Sequence, residues 1–295
     1  SIIFLKVLEV VFPVFFLSSL GYLWVRFGFE YPMKFVTRLS MMIAVPCLVF
    51  VSLIKTTIDS EHLILLAIAT FVTYFLLMIF LTCFIKLTKI NFRTYLAPLT
   101  FGNTGNIGLP LTYFAFGEVG LGYAVIIFSV TAILSFSIGI WFVSGGATSF
   151  QALKNEPLIM ATILGSIFLF TDLSTPLFLT STLELIGQMA IPLMLITLGV
   201  AVAELKISDL KTALGFSLLK LILSLSTAIF VGYFFSLNEI SFSVLLMQIS
   251  TPVAVTSYLL ARKYEADSLK VASLVVVSTC LSLISLPTIL FFQLH

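Results

Sequence analysis

Charge is scarce in this chain of 295 residues. Asp, Glu, Lys and Arg make up 9% of it against 60% hydrophobic residues, and the mean hydropathy is +1.20. That balance excludes an ordinary soluble domain and points to lipid as the solvent. Histidine is nearly missing, with only His62 and His295, and no His-Glu-x-x-His occurs. General-base and zinc chemistry therefore have little to work with, and no enzyme or metal site is expected. No Gly-x-x-x-x-Gly-Lys-Ser/Thr is found either, which removes the phosphate cradle of an ATP-driven pump. The three cysteines, Cys47, Cys83 and Cys280, all fall in apolar segments and are expected to be buried free thiols.

What is present is a series of apolar runs divided by charged or turn-rich breaks. Ten spans are expected, at about 2–25, 35–54, 62–85, 94–116, 119–143, 157–171, 177–203, 212–235, 241–261 and 268–292. The first is too long for a signal-peptide core and lacks a basic leader and an Ala-x-Ala site, so it is read as a retained span. Residues 1–143 form one half, 144–156 a linker with Gly145-Gly146, and 157–295 a second half. The halves echo each other. Met42-Ile43-Ala44-Val45-Pro46 resembles Met189-Ala190-Ile191-Pro192, and Leu121, Ala124, Thr131 and Ser137 recur 148 residues later as Leu269, Ala272, Thr279 and Ser285. Since five spans is an odd number, a repeated half enters the membrane upside down, giving two inverted repeats.

The most informative segment is Phe101-Gly102-Asn103-Thr104-Gly105-Asn106-Ile107-Gly108-Leu109-Pro110-Leu111. Three glycines, a proline and two carboxamides oppose a continuous helix inside the fourth span. Irregular backbone at membrane depth is tolerated only where it is buried in protein or lines a watery cavity. The ninth span contains Gln248-Ile249-Ser250-Thr251-Pro252-Val253-Ala254, and at the spacing of 148 Thr104 falls opposite Pro252. Paired helix breaks in corresponding places are the sequence pointer to a midplane binding site in secondary transporters. A simple proline kink in span nine is the competing reading.

At these residues the chain resembles the auxin efflux carrier family over essentially its whole length. Gly102 to Leu111, followed by Phe116-Gly117-Glu118-Val119-Gly120-Leu121, carry the resemblance. Ile191-Pro192-Leu193, Thr251-Pro252-Val253-Ala254 and Leu260-Ala261-Arg262-Lys263-Tyr264 support it. The resemblance implies an all-α integral membrane protein related to the bile-acid sodium symporter fold. It would have ten helices in two inverted five-helix repeats, with helices four and nine broken and crossing. It also implies transport of a small carboxylate: bacterial members are associated with malate or malonate, and plant PIN-type members with auxin. The long cytoplasmic loop of many plant members is absent, so the chain looks like a minimal bacterial member.

The residue chemistry agrees. Asn103 and Asn106 lie three apart and offer donors and an acceptor without charge. Exposed N–H groups at helix breaks favour anions. Thr104, Gly105, Ser250, Thr251, Pro252 and Val253 complete the expected substrate site, and Gly108, Pro110, Pro46 and Pro192 are the helix-breaking residues beside it. Gln188 and Gln248 are further candidates for the lining. Lys220 lies nine residues past Lys211, about 14 Å at 1.5 Å per residue, near the midplane. Glu9 is roughly 10 Å into span one by the same rise. Either residue is a coupling or charge partner, or Lys220 is a packing residue; Glu184 is a weaker case. The rows Ser278, Ser282, Ser285 and Ser129, Thr131, Ser135, Ser137 read as close helix packing.

The expected function is therefore a secondary transporter moving a small organic anion across the plasma membrane by alternating access. Its expected partners are that anion and the bilayer, with a homodimer as candidate assembly and no nucleic acid. No cofactor is implied beyond a coupling ion, proton or sodium. Two alternatives stay open. A cation–proton exchanger on a related fold is disfavoured because Asp59, Asp172, Asp209 and Asp267 all lie at span ends. A ligand sensor without transport would carry a signalling domain, and none is visible.

Arg26, Lys34, Arg38, Lys86, Lys89, Arg93, Lys154, Lys206, Lys211, Arg262, Lys263 and Lys270 lie at every second connection, and Lys55 alone lies at the others. By the positive-inside rule both termini are outside and the linker is cytoplasmic. Single cysteines placed at positions 154 and 239 of a cysteine-free background test this. An impermeant maleimide added from outside should label 239 and spare 154; equal labelling would reject the topology.

Overall fold

The computed structural model describes residues 2–147 and 151–295, so residues 148–150 of the expected linker lie outside the described residues. Among these residues regular structure is helical, and the sole β feature is a bridge between Gly102 and Val253. Hydrocarbon offers no hydrogen bonds to a backbone, and a helix satisfies its own. Seven helical stretches are long and apolar enough to cross a membrane. The chain is a multi-pass membrane protein.

We number the helices α1 (Ile2–Arg26), α2 (Met33–Lys55), α3 (Ser60–Thr88), α4 (Phe92–Thr100), α5 (104–116) and α6 (118–144). After a short turn at Gln151–Lys154 come α7 (Pro157–Thr171), α8 (Leu177–Gly187), α9 (Ala190–Glu204), α10 (Leu210–Phe234), α11 (Glu239–Ile249), α12 (Val255–Lys263) and α13 (Ser268–Gln293). The stretch Thr104–Ser144 is 41 residues long and predominantly apolar. Gly117 divides it, because its φ of 63° and ψ of −150° lie in a region that side chains avoid. Wide π-type turns loosen the chain at Ser40–Ala44, Thr104–Gly108 and Ser135–Gly139. The first two stand directly before Pro46 and Pro110, whose rings cannot accept a regular helical neighbour four residues back.

The outside of the molecule is as apolar as the inside. On α1, Val7, Val10, Val11 and Val14 face inward while Phe4, Phe12 and Phe16 are exposed. Cys83 and Cys280 are exposed and Cys47 is half-buried, which corrects the expectation of buried thiols. In a chain whose lipid face is itself apolar, hydropathy says nothing about which way a cysteine points.

Contacts divide the helices into two groups. One contains α1, α2, α7, α8 and α9, with α1 packed along α9 and α2 along α7 and α8. The other contains α3 to α6 and α10 to α13, with α10 on α13 and on α3, and α4 against α3. Each group draws elements from both halves of the sequence. The polar ties lie within groups: the Lys55–Glu184 ion pair joins α2 to α8, and Arg93 donates to Val143 O at 2.9 Å and to Tyr264 O at 2.6 Å. Among the described residues one side-chain hydrogen bond joins the groups, Ser129 Oγ to Thr162 Oγ1 at 2.9 Å.

Within the first group α1 and α9 touch through glycine. A Cβ on Gly199 would lie 1.7 Å from Ser18 O, and one on Gly21 would lie 2.0 Å from Ile196 O. Small residues at such contacts are what lets membrane helices approach closely. Gly199→Ala should therefore force the helices apart at a cost of about 1–3 kcal/mol, read as a lower melting temperature in detergent. Gly215→Ala, with open space around it, should leave the melt unchanged; equal melts for the two variants would refute the close approach.

Candidate functional site

The fourth and ninth expected spans are both interrupted, and the interruptions meet. Helix α4 ends at Thr100 and α5 begins at Thr104; α11 ends at Ile249 and α12 begins at Val255. Between them the two extended segments run antiparallel, with Asn103 N donating to Pro252 O at 2.7 Å and Gly102 bridged to Val253. Val253 N in turn donates to Ser278 Oγ at 3.0 Å. Each break thus supplies part of what the other needs, so the loss of helical bonds is made good inside the protein.

Glycine sets the distance between the breaks. A Cβ on Gly102 would lie 2.3 Å from Thr251 Oγ1 and 2.9 Å from Thr251 O; one on Gly108 would lie 1.9 Å from Gln248 Oε1. Gly105 stands against the Phe128 ring. The glycines are therefore close-approach positions as well as helix breakers.

Several polar groups here are buried and unpartnered. Asn103 is 5% exposed. Its Oδ1 accepts from Asn106 N at 3.1 Å and caps the turn that starts α5, leaving Nδ2 without a partner. Ser250 Oγ and both polar atoms of Gln248 are likewise unpaired. Unpaired buried donors and acceptors are rare in folded proteins, and each calls for a physical explanation. Thr251 Oγ1 donates to Gln248 O at 2.6 Å, closing the end of α11. Thr104 is buried and Asn106 partly exposed.

Beside the crossing lies a narrow cleft with room for about one water molecule, part of it open to the outside. Lys220, Ser217, Ser250, Thr251 and Pro252 line it, together with Ser278, Ser282 and Ser285. The serine row of α13, expected to serve packing alone, therefore borders a space; Ser278 also holds the α12 break through Val253 N. Lys220 is 3% exposed, and its Nζ donates to Leu99 O at 3.2 Å.

The two expected acidic residues fall elsewhere. Glu9 is exposed on the face of α1 opposite its buried valines, so it is not the partner of Lys220. Glu184 is taken by Lys55. Gln188 is exposed at the interruption between α8 and α9, and Pro192 is exposed in the first turn of α9. Pro46 is buried after its wide turn in α2. Outside the spans, Asp209 caps α10 by accepting from Thr212, and those bonds hold its carboxyl below the usual range.

With this geometry in view, comparison with known proteins is informative. The model of a family described as membrane transport protein matches residues 6–155 and 146–290. The chain belongs to this family, that of the auxin efflux carriers. An uncharacterized transporter of Methanothermobacter thermautotrophicus is 28% identical, over 97% of this chain and 98% of its own length. Another, of Methanocaldococcus jannaschii, is 25% identical over 94% and 96%.

Sequence reasoning missed two groups of this family member, Ser217 and Ser224, whose Oγ atoms are buried and unpaired. They share one buried face of α10 with Lys220 and Thr227. The signal was present as polar residues spaced 3, 4 and 3 apart in an apolar helix.

The close approach at Gly102 makes a double-mutant prediction. Gly102→Ala should lower the melting temperature, and adding Thr251→Ala, which removes the nearer contact, should recover part of the loss. A coupling of about 0.5–3 kcal/mol is expected. Strictly additive melts would show that the two breaks do not touch at these residues.

Proposed function

We propose that this family member is a secondary transporter that carries a small organic anion, a carboxylate, across the plasma membrane by alternating access. The observation that carries the reading is the meeting of two interrupted helices around buried, unpaired donors, foremost Asn103 Nδ2. The ten expected spans map onto the helices if α4 with α5, α8 with α9, and α11 with α12 each count as one crossing. Inverted repeats are supported by contacts that come in exchanged pairs: α1 on α9 matches α7 on α2, and α3 on α4 matches α10 on α11. In this reading both termini lie outside, and a proton or sodium ion supplies the coupling.

Asn103, Asn106, Ser250 and Thr251, with the backbone of Thr104, Gly105, Pro252 and Val253, form the substrate site. A carboxylate accepts hydrogen bonds only, so the free Asn103 Nδ2 and the Ser250 hydroxyl suit it. The group containing α4 to α6 and α10 to α13 moves against the group containing α1, α2 and α7 to α9. This carries the site from one side of the membrane to the other.

Binding and proteoliposome flux of radiolabelled malonate, malate and indole-3-acetate test the reading. Replacing Asn103 or Asn106 with Ala removes a hydrogen bond to a charged partner worth about 1.5–3 kcal/mol, so affinity should fall roughly 10- to 150-fold. Asn103→Asp keeps the acceptor that caps Asn106 N while removing the donor, and should lose binding with its fold intact. If the folded Asn variants retain wild-type affinity, the substrate site is elsewhere.

A further inference from the structure

Two broken helices that cross bring four helix ends together: the N-terminal ends of α5 and α12 and the C-terminal ends of α4 and α11. Each N-terminal end is worth roughly +0.5 of a charge and each C-terminal end −0.5. The sum is close to zero. Helix ends alone therefore give the crossing no preference for an anion, and something else must decide its sign.

Lys220 makes the crossing asymmetric. It reaches from α10 to Leu99 O, a carbonyl in the last turn of α4 that has no helical donor. The negative end of α4 is thereby covered by the Lys220 amine. The end of α11 is closed by neutral groups only, Ser250 N on Leu246 O and Thr251 Oγ1 on Gln248 O. Lys220 has three N–H donors, one of them in use. Among the described residues no carboxylate pairs with it; the ion pairs are Lys55–Glu184 and Lys270–Asp267. An unpaired ionisable group at membrane depth is costly and marks function. Lys220 also borders the cleft with Ser217 and Ser250, whose buried hydroxyls have no partner.

We propose that Lys220 sets the charge selectivity of the site: one carboxylate oxygen of the cargo takes this water-sized cleft as the counter-ion of Lys220, held also by the Ser217 and Ser250 hydroxyls. This rests on the reading that the cargo is a small carboxylate. It adds a residue of α10 to a site otherwise built from the crossing, and assigns the sign of the cargo to that residue.

The test compares the tightest binder among malonate, malate and indole-3-acetate with its uncharged amide, in detergent and in proteoliposomes. The wild-type protein should prefer the acid. Lys220→Gln, which can still donate to Leu99 O without charge, should lose that preference, with acid binding weakened at least roughly tenfold and amide binding little changed. Lys220→Arg should retain the preference. Ser217→Asp places a carboxylate at i, i+3 from Lys220 and should displace the acid in the same way, which gives a second variant should Lys220→Gln fold poorly. Acid preference undiminished in a folded Lys220→Gln or Ser217→Asp protein would overturn the proposal. Loss of acid binding in the Asn103 variants together with an unchanged Lys220→Gln would overturn it while leaving the crossing as the site. No saturable acid binding by the wild-type protein would overturn both.

Discussion

Hydrocarbon will not hydrogen-bond a peptide group, and the architecture follows from that constraint. Everywhere but at a few places the chain answers it with helix. Where it stops being helical at depth, around 101–103 and 250–254, it does so in two segments that answer each other through Asn103 N to Pro252 O. Neither break would be tolerable alone. Around their pairing lie buried, unpaired side chains from α10, α11 and the start of α5.

Much of this was legible in the sequence because it depends on local chemistry. Glycine and proline punctuate the backbone wherever they stand, so the breaks and the turn at Gly117 could be read directly. Span limits followed from hydropathy, and the short apolar run at 157–171 coincides with α7. What could not be read was azimuth. Glu9 and Lys220 sit at comparable depths in their segments, yet one is exposed and the other faces the cleft. In a soluble helix the polar face reveals the outside. Here both faces are apolar, so the phase is visible only where several polar residues share a face, as Ser217, Lys220, Ser224 and Thr227 do. The thiols were misplaced for the same reason.

Pairing across helices was equally hidden. Glu184 has Lys55 as its partner 129 residues away, and Leu99 O has Lys220 at a separation of 121. Neither match has a local signature. The glycines show the limit from another side: their power to break a helix was plain, whereas their role in admitting Thr251 and Gln248 to within contact of the neighbouring backbone appears only in three dimensions.

The boundary between the two helix groups has a mechanical consequence. Directional bonds fix position, and those of Lys55, Arg93, Asn103 and Lys220 all act inside one group or the other. The seam holds the single hydroxyl pair Ser129–Thr162 among the described residues. Apolar contact resists separation but has little preference for register, so such a seam opposes opening and permits sliding. Under the proposed movement of one group against the other, the crossing travels as a stiff cassette whose internal geometry, and so its affinity, changes little on the way.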